Sequence, residues 1–335
     1  MQAPPRFGSR RAVLMRLTCA LFPALTQSAS RAQIYPAGPI RLIVPFPPAG
    51  GTDVLSRHLA QTVTEMRGWN FVVENRPGVG GNLGLEMLAR SRADGLTLAM
   101  GQTSNLAINP ALFRKMPYDA MKDFTPVALV ASQPTVLVVR ESAAYRRLSD
   151  LIAHGKAAKA KGGLLTMASP GVGTVGHLAG ELFARRAGLE FTHVPYKGAA
   201  PALSDVMAGQ VDLNFATPTS AMPLIRAGKL RALAVTSAER LYALPEVPTV
   251  AESGFKGFVA EDWKALLAPA GTPPAVVQTL SEAVNAALGK GEMRARLALD
   301  GSRPLGGSPA QLALFMRGEH ARWAEAVQLS GASAE

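Results

Sequence analysis

The chain has 335 residues, 48% of them hydrophobic and 6% aromatic, enough to bury one large core or two medium ones. Its formal net charge of +11 is scattered, and the densest basic run, Lys156 to Lys161, lies on an Ala-rich helical stretch with little aromatic interleaving. That pattern describes a solvated face and excludes nucleic acid as the expected partner.

Arg6, Arg10 and Arg11 precede an apolar stretch from Ala12 to Leu25, and Ser30-Arg31-Ala32 forms a small-residue cleavage site, so residues 1–32 read as an export signal cut after Ala32. Ser9-Arg10-Arg11 followed by Val13-Leu14 resembles a twin-arginine signal. The apolar run is well short of the ~20 residues of a membrane span. Removing its five arginines lowers the charge from +11 to +6, which still steers anions. The single cysteine, Cys19, leaves with the signal and lacks the small residue expected before a lipidated cysteine. A soluble periplasmic product without disulfides or a thiol nucleophile is expected.

Ile40 to Val44 reads as a strand, stopped by Pro45, Pro47 and Pro48. Gly50 and Gly51 then lead into a helix from Asp53 to Met66, with Val54, Leu55, Leu59, Val63 and Met66 on one face. A helix beginning at Thr52 or Asp53 turns unpaired N–H groups and the positive end of its dipole toward the crevice above the strand, a socket for an anion. Phe71 to Val73 is a second strand, Asn82 to Ser91 a second helix and Leu96 to Met100 a third strand. Alternation of this kind predicts a parallel sheet covered on both faces. The turns 45–52, 75–81 and 101–109 would open on one edge, where such sheets bind ligands.

The alternation restarts at Thr135: strand 135–139, helix 149–159, strand 164–167, helix 177–187, strand 191–194, helix 201–208, strand 211–215, helix 220–227 and strand 230–235. A Pro-bearing connector spans 244–257, Trp263 to Leu267 is a further strand, and two helices, 272–288 and 308–328, close the chain. Helices without a sheet of their own must cover another, so the tail is expected to return to the first lobe. The expected division is 33–133 plus 258–335 for lobe 1 and 134–257 for lobe 2, joined by two crossings that make a hinge.

Chemistry is sparse. Gly171-Val-Gly173-Thr-Val-Gly176 matches GxGxxG, yet Ser169 and Pro170 lengthen the turn, and the next strand runs into Pro195-Tyr196-Lys197 where a dinucleotide site needs an acid. The loop shares with the first socket its Gly backbone, the hydroxyls of Ser169 and Thr174, and a helix N-terminus. HExxH, GxSxG and GxxxxGKS or GxxxxGKT are absent, and His58, His154, His177, His193 and His320 have no partner at metal-ligand spacing. No catalytic residue, metal or cofactor is expected. Two lobes closing on a small anion through neutral main-chain donors is the favoured reading. An NAD-dependent dehydrogenase and a ligand-sensing partner of a membrane kinase are the alternatives.

The segments PFPPAGGTD (45–53), ENRPGVGGNLG (74–84), ASPGVGTVGHLAGELF (168–183), HVPYKGAAPALSDVMAGQVDLNF (193–215), IRAGKLRALAVTSAER (225–240), LPEVPTVAESG (244–254) and LLAPAGTPP (266–274) resemble the Bug-type, TctC-like receptors. These are the periplasmic substrate-binding proteins of tripartite tricarboxylate transporters, and the resemblance runs in order from residue 35 to 329. It implies an α/β type II periplasmic-binding fold, two lobes with mostly parallel sheets around a central cleft. It also implies a small carboxylate or related anion as ligand, delivery to membrane transporter subunits, and no catalysis; a monomer is expected. Carried over, it puts Phe46, Gly50, Gly51, Thr52 and Asp53 at the ligand, with Ser104 and Asn109 from the same lobe. From the other lobe come Ser169, Gly173, Thr174, His177, Tyr196, Lys197 and Gly198. Thr52 and Asp53 equally suit an N-cap and a first-turn acid, Tyr196 packing, and Lys197 a solvated turn. The chain departs from the family pattern at Ala49, where glycine is usual, and at Ala216, where an acid is common. Asp262 could reach the cleft and disfavour a second carboxylate.

Overall fold

A computed structural model describes residues 1–3 and 35–334; the apolar stretch and cleavage site of the expected export signal lie outside the described residues. In chain order the elements are β1 (Ile40–Val44), α1 (Gly51–Arg67), β2 (Phe71–Asn75), α2 (Asn82–Ala89), β3 (Thr97–Gln102), α3 (Asn109–Leu112), β4 (Phe124–Pro134) and β5 (Val136–Arg140). There follow α4 (Leu148–Ala160), β6 (Leu165–Ser169), α5 (Val175–Ala187), β7 (Phe191–Pro195), α6 (Ala199–Ala208), β8 (Leu213–Ala216), α7 (Pro218–Arg226) and β9 (Leu230–Val235). The chain closes with β10 (Glu261–Pro269), α8 (Pro274–Leu288), α9 (Gly291–Leu299), β11 (Arg303–Pro304) and α10 (Pro309–Ser330). The periodicity anticipates most of these; α3, β4, α9 and β11 are additional.

Among the described residues the strands form two sheets, ordered β11-β4-β10-β3-β1-β2 and β7-β6-β8-β5-β9. β1 pairs in parallel with β2 and β3, and β6 in parallel with β7 and β8. The pairing is nonetheless mixed, correcting the expectation of mostly parallel sheets, because β10 runs antiparallel to β3 and β4, and β5 antiparallel to β8 and β9. Topology supplies the reason. β4 continues through Thr135 alone into β5, so the chain enters the second sheet from the edge where β8 and β9 end, Val136 lying opposite Ala216 and Val235. β10 returns to the first sheet in the same manner, Glu261 starting opposite Pro134 at the end of β4. A strand that enters from that edge must run against its neighbours.

α1 and α8 bury Leu59, Val63, Leu280 and Val284 against Leu42 and Leu98 on one face of the first sheet. Burial of side chains of this size contributes about 1.5–3 kcal/mol each. On its other face, a cluster with Leu85, Leu106, Trp263, Met316 and Trp323 continues through Leu112 and Leu178 to Phe183 of α5 and Phe215 of the second sheet. The tail therefore divides: α8 covers the first sheet, whereas α10 lies against both β4 and α5. A third cluster, with Val138, Leu203, Val206 and Met222, packs around the second sheet.

Candidate functional site

Parallel pairing of β1 with β2 and β3 sets their C-terminal ends side by side, so the three loops that follow them meet. Asn75 Nδ2 donates to Phe46 O (3.0 Å), and Asn109 Nδ2 donates to Gly80 O (3.2 Å) and Asn82 Oδ1 (2.7 Å). A Cβ on Gly81 would lie 2.9 Å from the Phe46 ring and 2.6 Å from Asn105 Nδ2, a buried nitrogen with no hydrogen-bond partner, although Asn105 Oδ1 accepts from Gln102 N (2.9 Å). Gly81 and Asn105 thus join the loop cluster although sequence reasoning passed over them. The signal was present in the second resembling segment, whose glycines follow β2.

α1 opens at Gly51 with Gly50 at the N-cap position and no side-chain cap. Its first-turn amides therefore have no acceptor within the helix. Gly51 is exposed, and nothing lies within 4 Å of where its Cβ would stand. Thr52 is not the cap: its hydroxyl donates to Gln102 Oε1, and Gln102 Nε2 donates to Ser104 Oγ (3.1 Å). Asp53, 3% exposed, accepts from Ala49 N (2.9 Å), Asn75 Nδ2 (2.8 Å) and Arg57 Nε (3.0 Å). Burial raises its pKa, but the hydrogen bonds from Arg57, Asn75 and Ala49 outweigh that and hold it below the usual carboxylate range. Asp53 is thus a brace. What it braces is Ala49 at φ +63°, a left-handed conformation that costs a non-glycine residue about 1–2 kcal/mol.

In the second sheet the loops after β6 and β7 are stitched together: Tyr196 N donates to Ser169 O (2.9 Å) and Gly198 N to Pro170 O (3.1 Å). Gly171 N donates to Ser169 Oγ (3.2 Å), and Gly173 N to His177 Nδ1 (3.2 Å). These amides are engaged internally, which corrects the expectation that this glycine loop presents them outward. Thr174 caps α5 by accepting from His177 N (3.4 Å) and donates its hydroxyl to Gly171 O (2.8 Å). His177 stacks on His193 at 3.8 Å between centroids, and Ser169 Oγ lies 2.7 Å from His193 Nε2. Burial, then the neighbouring His193, pushes the His177 pKa down to about 3. Tyr196 donates its hydroxyl to Asp205 Oδ2 (2.6 Å), while Lys197 is exposed.

The two sets of loops approach one another. Gly173, at φ +74°, packs so closely that a Cβ would lie 2.2 Å from Leu112 Cδ2; Leu112 ends α3, which begins at Asn109 beside Gly80. Gly51 and Thr219 of α7 line one small cavity together with Lys264 and Gln133. At the crossings Thr135 N donates to Thr236 Oγ1 (2.8 Å), Thr236 N to Thr135 O (2.9 Å) and Ala260 N to Thr236 O (2.9 Å), so the segment leaving the first sheet is tied through the end of β9 to the one returning.

Two mixed sheets joined at adjacent crossings, with the first residue of α1 and Thr219 of α7 lining one cavity, define a two-lobed binding protein. The chain belongs to the tripartite tricarboxylate transporter family receptors, whose description matches residues 55–331. Protein BugT of Bordetella pertussis is 39% identical over 302 residues, covering 90% of this chain and 92% of that one. Among solved structures, one from R. palustris with adipate has a TM-score of 0.80 at 36% identity and covers 89% of this chain and 99% of its own. MatC from Rhodopseudomonas palustris with bound malate scores 0.75 at 33% identity (88% and 100%). The periplasmic binding protein BugD scores 0.76 at 32% (90% and 100%). The chain is accordingly a solute-binding receptor of the periplasmic type and not an enzyme, which sets aside the dehydrogenase alternative.

Proposed function

We propose that this chain, exported to the periplasm after removal of residues 1–32, closes as a monomer on a small carboxylate and delivers it to the subunits of a tripartite tricarboxylate-type membrane transporter. Its lobes are 33–133 with 258–335, and 134–257. Gly50, Gly51, Thr52 and Ser104 approach the ligand from one side, and Thr174, His177 and Lys197 from the other. The observation that carries the reading is the uncapped start of α1 at Gly51, which shares a cavity with Thr219 at the start of α7. Unpaired first-turn N–H groups beside a second helix start favour an anion. Relatives seen with adipate and malate give the same ligand class.

Thermal-shift measurements with mono-, di- and tricarboxylates test this. A ligand at 100 times its Kd adds about 2.7 kcal/mol to the stability of the folded state. Gly51→Leu, at a site with open space, should abolish that shift while leaving the unliganded melting temperature unchanged. A folded wild-type protein that responds to no carboxylate ends the proposal.

A further inference from the structure

Lys264 is a buried ammonium beside Gly51 of α1 and Thr219 of α7, and its charge is met by one residue, Asp262. It stands on β10 directly opposite Gln102 of β3, hence on the sheet face that carries the Thr52–Gln102–Ser104 chain. It is 5% exposed. Its Nζ donates to Asp262 Oδ2 (2.9 Å) and Asp262 O (3.2 Å), both belonging to the residue two positions earlier on the same face. The other carboxylate oxygen, Asp262 Oδ1, is buried without a partner. An ammonium has three donors, so the pair is incompletely satisfied at both ends where desolvation is costly.

With Gly51, Gln133, Thr219 and Asp300, Lys264 lines a cavity of about 20 Å3, room for one water-sized group. Arg296 and His58 complete its polar lining, with Arg296 Nη1 donating to His58 Nδ1 (2.9 Å). One wall, Thr219, belongs to α7, which packs on β9 and β5 of the second sheet, while Gln133 and Lys264 belong to the first, so rotation at Thr135 and Thr236 would widen the cavity. Asp262, expected from sequence to repel a second carboxylate, instead has its charge held by Lys264.

We propose that Asp262 is a built-in substitute for ligand: a dicarboxylate places one carboxylate on the first-turn amides of α1 and the other on Lys264, displacing Asp262 from that ammonium. Lys264 thereby sets the preference for dicarboxylates over monocarboxylates. This deepens the receptor reading and rests on it. A monocarboxylate leaves the Asp262–Lys264 pair untouched and gains nothing from it.

Calorimetric titration with adipate and hexanoate, which differ in the terminal carboxylate, separates the two. Wild type should favour adipate. Lys264→Met should weaken adipate by about tenfold or more and hexanoate by less than about twofold. Asp262→Asn should strengthen adipate by removing its competitor, and Lys264→Arg should retain most of the preference, so the test survives a Met variant that does not fold. Equal adipate binding by Lys264→Met and wild type overturns the inference. So does weakening by Asp262→Asn to the level of Lys264→Met, which would make the pair structural. A folded wild type that binds no carboxylate defeats the receptor reading itself, whereas one binding adipate and hexanoate alike defeats this inference alone.

Discussion

His177 owes its neutrality to where the backbone places it. Nδ1 accepts the Gly173 N–H, the ring stacks on His193, and Glu181 Oε1 lies 3.9 Å from Nε2. Protonation would remove the lone pair that Gly173 uses and set a charge beneath His193. The folded pKa, about 3, lies below the ordinary value of about 6.5, so the unfolded chain takes up the proton first. The stability tied to neutral His177 is present above about pH 6.5 and is lost as pH falls from there toward 3. Urea midpoints should fall between pH 7 and pH 5, and His177→Gln should flatten the decline; an unchanged slope would refute this account. Other residues in the cleft were legible in type but not in role. Thr52 and Asp53 look equivalent at the start of a helix. Asp53 nonetheless reaches back to Ala49 and across to Asn75, and that second contact exists only because β1 pairs with β2.

At the scale of elements, the GxGxxG pattern proves to be a packing device. A Cβ on Gly176 would lie 2.3 Å from Phe215 O, and one on Gly180 would lie 2.0 Å from Met167 Sδ, so α5 sits hard against β6 and β8 because those positions carry no side chain. Gly176→Ala must push the helix off a backbone oxygen and should cost about 1–3 kcal/mol in chemical denaturation. A cost below about 0.5 kcal/mol would mean the helix lifts freely. The strands flanking these helices were readable as apolar runs bounded by Pro, Gly and Asn. β4 was not, because Pro126, Gln133 and Pro134 break the run. Pro126 pairs with Leu267 at a register irregularity, one of the few places a sheet tolerates proline. Lys264 lay inside an expected strand, but its alignment with Gln102 needs the antiparallel register of β10, which no local pattern encodes.

For the whole molecule, repeated alternation announced two sheets, and tail helices without strands announced a return crossing. The direction of the inserted strands followed only from the shortness of the link at Thr135, a consequence of connectivity that hydrophobic spacing does not register. The same spacing gave no hint that α10 would lean on α5 as well as on β4. That contact carries a cost for any motion: the apolar cluster running from Trp323 past Leu112 to Phe183 and Phe215 has no aqueous seam dividing it. Heating should therefore melt both halves in one cooperative event, a single calorimetric peak whose van't Hoff and measured enthalpies agree, where independently folding halves would give two.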